Sequence, residues 1–381
     1  MKIALIKQRY SLQHGGSERY CVNLARRLQE MGHDVTVIGE TIDEDLHAEV
    51  EFIPVRVNRL TSSTRNQSFA ENCGRAAGNG RFDVVYGLGR SFGLDVVRVT
   101  ERLQSHWLDV YYRGSIIRAA QRLNPRHRTL IRLERTIYRS SQVRRIVTQS
   151  QLDRRLLTEY YGIPDDKICT IYNGVDTDLF HPRVREGADD VRAELGIEPG
   201  EPLLVFASMD FEGKGLRSII RALPLARDRE TRLLVLGTGP VERFRRFARG
   251  LGVEQRVIFA GRHGSIERCY GAGDLFVLPT IYEPFPNVNL EAMACGLPVL
   301  TTATHGGADL IVHGENGYLV PDSECIREMS DCLDHHFSLP KSKHEAMSVQ
   351  CRSTAEHLTM EENVRQTLEV FEEIVRDKVR V

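Results

Sequence analysis

The sequence predicts an α/β protein made of two Rossmann-like units, each built on a parallel sheet. Three observations predict it. The chain has 381 residues, enough for about two domains of the usual size. Short apolar runs alternate with stretches of helical periodicity through both halves. One stretch, LFVLPTIYEPFPNVNLEAMACGLPVLTT at residues 275–302, reads as a complete strand–loop–helix–strand unit, which in a parallel sheet is the βαβ motif.

In that stretch residues 275–279 and 298–302 are apolar runs of strand length. Residues 287–295 read as the helix between them, with Pro286 near its first position and Gly296 just past its end. Ligands of such sheets bind where loops leave the carboxyl ends of strands. Glu283 lies in that loop, and Glu291 follows roughly a turn into the helix, so both carboxylates can face one crevice. The helix N-terminus beside them offers N–H groups and partial positive charge, which suits a phosphate.

The remaining elements follow in chain order. Residues 3–6 read as the first strand, followed by SLQHGGSER and a helix through Tyr20, Val22, Leu24, Ala25 and Leu28 to Gly32, then a strand at 35–38. Gly15-Gly16 permits a sharp turn or close approach of backbone to a ligand, but it is not a GxGxxG fingerprint. Residues 51–57 and 83–88 are further strands. Residues 58–80 are polar and read as a loop, or a poorly periodic helix, over an acceptor. Residues 96–99 are strand-like and lead into TERLQSHWLDVYYRG, where His106 precedes the single Trp, Trp107. Residues 98–155 are rich in Arg and hold no Lys. Arg113, Arg118, Arg122, Arg126, Arg128, Arg132, Arg135 and Arg139 run through two helices broken at Asn124-Pro125. Ile116, Ile117, Ala120, Leu123, Leu130, Leu133 and Ile137 form the apolar side, giving an amphipathic basic surface. A strand at 145–149, a helix at 152–161 and a strand at 168–172 complete the first half. Asp176-x-Asp178 imitates a metal-binding D-x-D pair, but it lies in the connector NGVDTDLFHP and reads as part of an interdomain hinge. Polar residues 183–200 complete the boundary.

Strands at 203–207, 233–237 and 257–260 precede the βαβ stretch, with SMDFEGKGLRSIIRAL after the first, GTGP ending the second and GRHGSIERCYGAGD after the third. GGADLIVHGENGYLVPD reads as an edge hairpin or loop. Val364, Leu368, Phe371 and Val375 mark a C-terminal helix over about 361–381. The expected domains are therefore 1–178, with that helix packed back onto it, and 179–360.

Composition narrows the function. The net charge is −1, yet residues 1–178 hold 27 Lys+Arg against 21 Asp+Glu and the remainder 24 against 31. The first half is the natural partner of an anion. The eight Cys show no C-x-x-C pair, as expected of reduced thiols in a cytoplasmic protein. MKIALIK turns polar too soon for a signal peptide, and no apolar run approaches about 18 residues. Any membrane contact is expected to be peripheral. The basic stretch lacks the interleaved aromatics of a nucleic-acid platform, which leaves an anionic lipid surface or a phosphorylated acceptor.

Glu283, seven residues, then Glu291 followed by AMACGLPVLTT resembles the E-x7-E signature of retaining nucleotide-sugar glycosyltransferases of family 4, which have the GT-B fold. The resemblance runs along the whole chain and is strongest in the second half. It implies two Rossmann-like domains facing each other across a deep cleft, the first for the acceptor and the second for the donor. It also implies transfer of a hexose, glucose or a relative, with retention, from a UDP-sugar to a lipid-linked anionic saccharide such as the inner core of lipopolysaccharide, with no metal. The implied catalytic residues are Glu283, His106 and Lys214. The implied donor-binding residues are Gly15, Gly16, Ser208, Lys214, Arg262, Glu283, Phe285, Asn287, Val288 and Glu291. Glu283 would hold the sugar hydroxyls and Glu291 the ribose. Lys214 and the N–H groups at 287–289 would hold the diphosphate. The family commonly has an Arg where this chain has Ser208, so one of two usual cations is replaced. The resemblance leaves other acceptors, a sugar-nucleotide epimerase and a non-catalytic relative as alternatives.

Overall fold

Strands of the first unit run almost without polar interruption, as strands buried on both faces must. In β1 (Lys2–Ile6) residues Ile3, Ala4, Leu5 and Ile6 are all buried. The computed structural model describes every residue except 14, 79, 199, 380 and 381. After β1 come β2 (Arg9–Tyr10), β3 (Asp34–Gly39), β4 (Thr41–Ile42), β5 (Glu51–Pro54), β6 (Val84–Gly87), β7 (Val96–Arg98), β8 (Arg145–Thr148) and β9 (Ile168–Thr170). Seven of them form a sheet of order β5-β3-β1-β6-β7-β8-β9, parallel at every pairing, while β2 and β4 pair apart. The order reverses direction between β1 and β6, so the topological switch point lies there.

The helices of this unit are α1 (Gly16–Glu30), α2 (Ser62–Ala77), α3 (Gln104–Tyr111), α4 (Ser115–Leu123), α5 (Pro125–Tyr138) and α6 (Gln151–Tyr161). Of the stretch 58–80, residues 62–77 are helix α2. Its reciprocal capping box joins Thr61 and Thr64, which satisfies two backbone donors at the helix start. Its buried face is Phe69, Ala70, Cys73 and Ala77, and those small residues hide the stripe from a hydrophobicity pattern. Arg98, counted with the basic surface in sequence, is instead 1% exposed. Its Nη2 donates to Ile171 O at 2.9 Å and Asn173 Oδ1 at 2.8 Å, and its guanidinium lies over the Tyr20 ring. A buried charge persists where it is hydrogen-bonded, and here it fastens the segment by which the chain leaves the unit.

The second unit contains β10 (Leu203–Ser208), β11 (Arg232–Gly237), β12 (Val257–Gly261), β13 (Leu275–Leu278), β14 (Val299–Thr302) and β15 (Gly317–Val320) in the order β12-β11-β10-β13-β14-β15, again all parallel. Its helices are α7 (Ala188–Glu194), α8 (Leu216–Ala222), α9 (Val241–Gly250), α10 (Ile266–Ala272), α11 (Asn287–Ala294), α12 (Ile326–Ser338) and α13 (Lys341–Glu356). The stretch expected to be an edge hairpin or loop is a 3-10 turn, Gly306–Leu310, and then the parallel strand β15, paired Val299↔Gly317. The Gly in GENGYLV looks like a turn signal but serves close packing: a Cβ on Gly317 would lie 2.2 Å from Val299 O.

The chain then returns to the first unit as α14 (Met360–Val379). The chain forms two compact units, Met1–Asn173 with Met360–Val381, and Gly174–Thr359. Residues 380 and 381, where the expected C-terminal helix ends, lie outside the described residues. Val364, Leu368, Phe371 and Ile374 join Ile3, Leu5, Val84 and Tyr86 in one buried cluster. Asn363 accepts from Tyr20 Oη at 2.9 Å, and Lys378 pairs with Asp95 at 2.7 Å. Among the described residues, no helix is long and apolar enough to cross a membrane.

The Phe371 ring is fully buried and meets Tyr86 edge-on at 5.0 Å. Phe371→Ala should cost the first unit about 3–5 kcal/mol, read from its denaturant unfolding. A loss below about 1 kcal/mol would show that α14 is not part of that core.

Candidate active site

The switch point of the second sheet lies between β10 and β13, and the loops after these two strands pack backbone against backbone. After β10, Ser208 Oγ accepts from Asp210 N at 2.8 Å, Asp210 Oδ1 from Gly213 N at 3.0 Å, and Asp210 O from Lys214 N at 3.0 Å. After β13, Thr280 Oγ1 and Ile281 N both donate to Gly213 O at 3.0 Å. Between them Gly215 takes φ +80°, and a Cβ there would lie 2.0 Å from Pro279 O. Only glycine fits, for the left-handed backbone and for the space. The Gly after Lys214 is thus what lets the Lys loop close on the Glu loop. The neighbouring strand ends the same way: a Cβ on Gly237, φ +107°, would lie 1.8 Å from Ser208 O.

This clasp sets Lys214 against Glu283, and the two form an ion pair with side chains 13% and 27% exposed. Glu283 is held from the other side as well, since Gly306 N donates to its carbonyl at 3.0 Å. Beside Gly306 is the fully buried His305, which sequence reasoning left inside an unexamined loop. Its Nδ1 accepts from Gly307 N at 2.9 Å, so the proton sits on Nε2, which donates to Thr301 Oγ1, and Thr301 donates in turn to Leu278 O at 2.7 Å. Burial, with Lys214 nearby, holds the His305 pKa down at about 3. The imidazole is a neutral strut that ties the Glu283 loop to β13 and β14.

Helix α11 begins after Pro286. Of the three N–H groups expected to receive a phosphate, that of Asn289 is already given to Pro286 O at 3.1 Å. The Asn289 side chain is 1% exposed, and neither of its polar atoms has a hydrogen-bond partner among the described residues. Such a group costs about 1–3 kcal/mol and calls for a functional explanation. Glu291 accepts from the buried Tyr270 Oη at 3.2 Å. Phe285 is 4% exposed and packs in the interior. Arg262 is exposed, with Nη2 3.7 Å from Met209 Sδ.

Gly15, Gly16 and His106 belong to the first unit. At its switch point the buried Lys7, invisible in the apolar run IALIK, donates from Nζ to Ser17 Oγ at 2.7 Å and to Leu88 O at 3.3 Å, with Glu18 at 3.5 Å. Burial lowers its pKa, and Glu18 partly offsets this. The network anchors the start of α1 directly behind Gly15-Gly16. His106 lies on helix α3, half-buried, with Nδ1 3.4 Å from Tyr160 Oη and the two rings edge to face. Burial lowers its pKa against the opposing effect of Asp109. Asp176 accepts from Asp178 N and Leu179 N, both at 3.0 Å, so it caps the connecting turn.

The chain has relatives among known proteins. The family model described as Glycosyltransferase Family 4 matches residues 14–179, and that described as Glycosyl transferases group 1 matches residues 201–335. A probable transglycosylase of Burkholderia thailandensis is 30% identical over 321 residues, 83% of this chain and 82% of that protein. The chain belongs to glycosyltransferase family 4. Family 4 enzymes are retaining and transfer a sugar from a nucleotide-sugar, and the two parallel sheets are those of the GT-B fold. The lipopolysaccharide glucosyltransferase WaaG of Escherichia coli is 25% identical over 326 residues, 84% of this chain and 85% of that one. A crystal structure of WaaG superposes with TM-score 0.82 at 24% identity, covering 97% of this chain and 99% of the other. HepE of Anabaena, solved with UDP-glucose, superposes with TM-score 0.73 at 19% identity over 98% and 100% of the two chains.

The buried imidazoles of this family 4 unit give a pH signature. The His336 pKa is also near 3 through burial; its Nε2 donates to Asp274 O at 3.1 Å and its Nδ1 lies 3.2 Å from Tyr318 Oη. Unfolded, both histidines protonate near pH 6.5; folded, they resist protonation to about pH 3. Between those values the unfolded chain binds more protons, so stability rises with pH, by up to about 1.4 kcal/mol per pH unit for each histidine. Urea unfolding of the second unit should show this loss from pH 7 to 5. His305→Gln with His336→Gln should flatten it, and an unchanged slope would contradict the assignment.

Proposed function

We propose that this enzyme is a hexosyltransferase that moves glucose, or a related hexose, from a UDP-sugar to a heptose of the lipopolysaccharide inner core, as lipopolysaccharide core glucosyltransferase I does. The observation that carries this reading is the Lys214–Glu283 pair at a switch point, Glu283 being the first carboxylate of the E-x7-E stretch. Similarity to WaaG over most of the chain supports the choice of acceptor.

In the reaction the bond from the sugar C1 to the diphosphate oxygen breaks, and negative charge builds on the departing phosphate. The Lys214 ammonium and the α11 N–H groups at Asn287 and Val288 stabilise that charge, and Arg262 adds a cation near the nucleotide. Glu283 holds the sugar hydroxyls and Glu291 the ribose. The acceptor oxygen attacks the face that the diphosphate leaves, and its proton passes to a phosphate oxygen, which gives retention without a covalent enzyme intermediate. Lys214 and the helix N-terminus supply the countercharge, so the reaction needs no metal.

The protein is proposed to work in the cytoplasm, at the inner membrane. Helix α4 has no buried residue; Ile116, Ile117 and Leu123 are 83%, 57% and 71% exposed, with Arg118 and Arg122 between them. An apolar and basic helix of this kind lies on an anionic surface, at about 1 kcal/mol for each basic side chain.

Incubating UDP-glucose with and without deglucosylated core oligosaccharide, in the presence of chelator, tests the reaction. Glucose should move to the core only when the core is present. Consumption without acceptor indicates an epimerase or hydrolase, and no consumption indicates a non-catalytic relative or another donor. Glu291→Ala should weaken donor binding about tenfold, and an unchanged donor affinity would contradict its role. For the membrane, Ile116→Ser with Ile117→Ser should reduce sedimentation with phosphatidylglycerol vesicles at low salt, and equal sedimentation would leave α4 an ordinary solvated helix.

A further inference from the structure

The first unit holds a basic cavity apart from the loops described so far. It measures about 530 Å³ and is lined by Arg122 of α4, by Arg128, Arg132 and Arg135 of α5, and by the hydroxyl-bearing Ser105 and Tyr160. The α5 arginines stand at i, i+4 and i+7, which places them on one face of the helix. Opposite them Leu130, Leu133 and Ile137 are buried and fix the helix to the core. The helix that carries these arginines is therefore fixed, while their side chains are exposed to solvent.

The charge of this face is poorly compensated. Arg122 pairs with Asp109 at 2.7 Å, and Asp109 also lies 3.7 Å from Arg118. Arg132 donates to the neutral Gln67 Oε1 at 3.0 Å. Among the described residues, Arg128 and Arg135 form no ion pair. Glu134 sits on the same helix but is fully buried and pairs with Arg90, so it does not face the cavity. Like charges at i,i+3 and i,i+4 destabilise a helix, and among the described residues no carboxylate pairs with Arg128, Arg132 or Arg135. An oxyanion would offset that cost, since guanidinium groups bind phosphate by paired, charge-assisted hydrogen bonds. The volume exceeds what a bare phosphate needs and falls in the range of small-molecule sites. Ile131 and the Tyr160 ring add apolar surface for a sugar face, and Ser105 and Thr136 add hydroxyls, while the Tyr160 hydroxyl donates to Asp109 Oδ2 at 3.0 Å.

We infer that this cavity is a binding site for a phosphate-bearing saccharide. The inference rests on the proposed anionic acceptor for its biological source, but the site is defined by its own chemistry. Two sources share that chemistry: the phosphorylated head group of a lipid-linked saccharide, and a free sugar phosphate.

Calorimetry with the whole protein and fructose 1,6-bisphosphate as probe tests the site. One molecule should bind per chain. Arg128→Gln, Arg132→Gln and Arg135→Gln together should weaken binding at least tenfold. The charge-matched control Arg56→Gln, Arg126→Gln and Arg155→Gln, three exposed arginines outside the cavity, should leave it within twofold. Equal loss in both triple variants would show diffuse charge attraction and overturn the site, as would a cavity variant that binds like the parent. Vesicles carrying a bisphosphorylated glucosamine disaccharide lipid, against phosphatidylglycerol vesicles of equal charge, identify the source. Preference for the former that the cavity variant loses supports the lipid-linked head group; discrimination with the soluble probe alone supports the free sugar phosphate. UDP-glucose turnover is followed in parallel. Turnover without probe binding refutes the cavity site and leaves the transferase reading standing. Probe binding without transfer to the core supports the site and removes the proposed acceptor.

Discussion

The second unit depends on one close approach, the packing of the segment 213–215 against 279–281. A loop that carries a cation and a loop that carries a carboxylate cannot share a site unless their backbones nearly touch. Gly215 makes this possible, because any side chain there would collide with Pro279 O. Two hydrogen bonds to Gly213 O then lock the approach. With the loops fixed, the Lys214–Glu283 pair needs no long flexible search for its geometry, which is the preorganisation that the proposed electrostatic catalysis requires. The strut of His305, Thr301 and Leu278 adds rigidity from behind, and it works only while the imidazole is neutral.

The first unit meets a comparable demand by other means. There a buried lysine, not a glycine contact, holds the loop at the switch point. Lys7 reaches from the end of β1 to Ser17 and to Leu88 O, joining the two strands on either side of the reversal. Around the edge of the same unit, α14 closes the core over Tyr86, and Arg98 with Asn363 fastens the segments where the chain leaves and returns. In both units, hydrogen bonds from buried polar groups such as Lys7 and His305 hold the loops at the switch points.

Much of this was legible in the sequence where burial on both faces leaves a continuous apolar run. Strands such as those at 203–208 and 275–278 declare themselves, and Glu283, Lys214 and Glu291 stand out through spacing. Helix α2 stood only as one of two readings, loop or poorly periodic helix, because its buried face is largely Ala, Cys and one Phe. Strand β15 did not declare itself, because the glycine that permits its close packing reads as a turn. Lys7, Arg98 and His305 were missed for a common reason: a polar residue in an apolar run or a loop carries no local sign that long-range partners will satisfy it. The α5 arginines were visible as a basic run, but that they line a cavity depends on α4, α3 and α6 folding around them.

The central claim is that Lys214 and Glu283 act as one unit set by the loop clasp. A double-mutant cycle on donor turnover tests it most directly, with Lys214→Ala, Glu283→Ala and the two combined, each measured as kcat/KM for the nucleotide-sugar. Residues that work as a unit show strongly non-additive losses. The account predicts that the double variant is impaired about as much as the worse single variant. Losses that multiply, so that the double variant falls by the product of the two single effects, would contradict it.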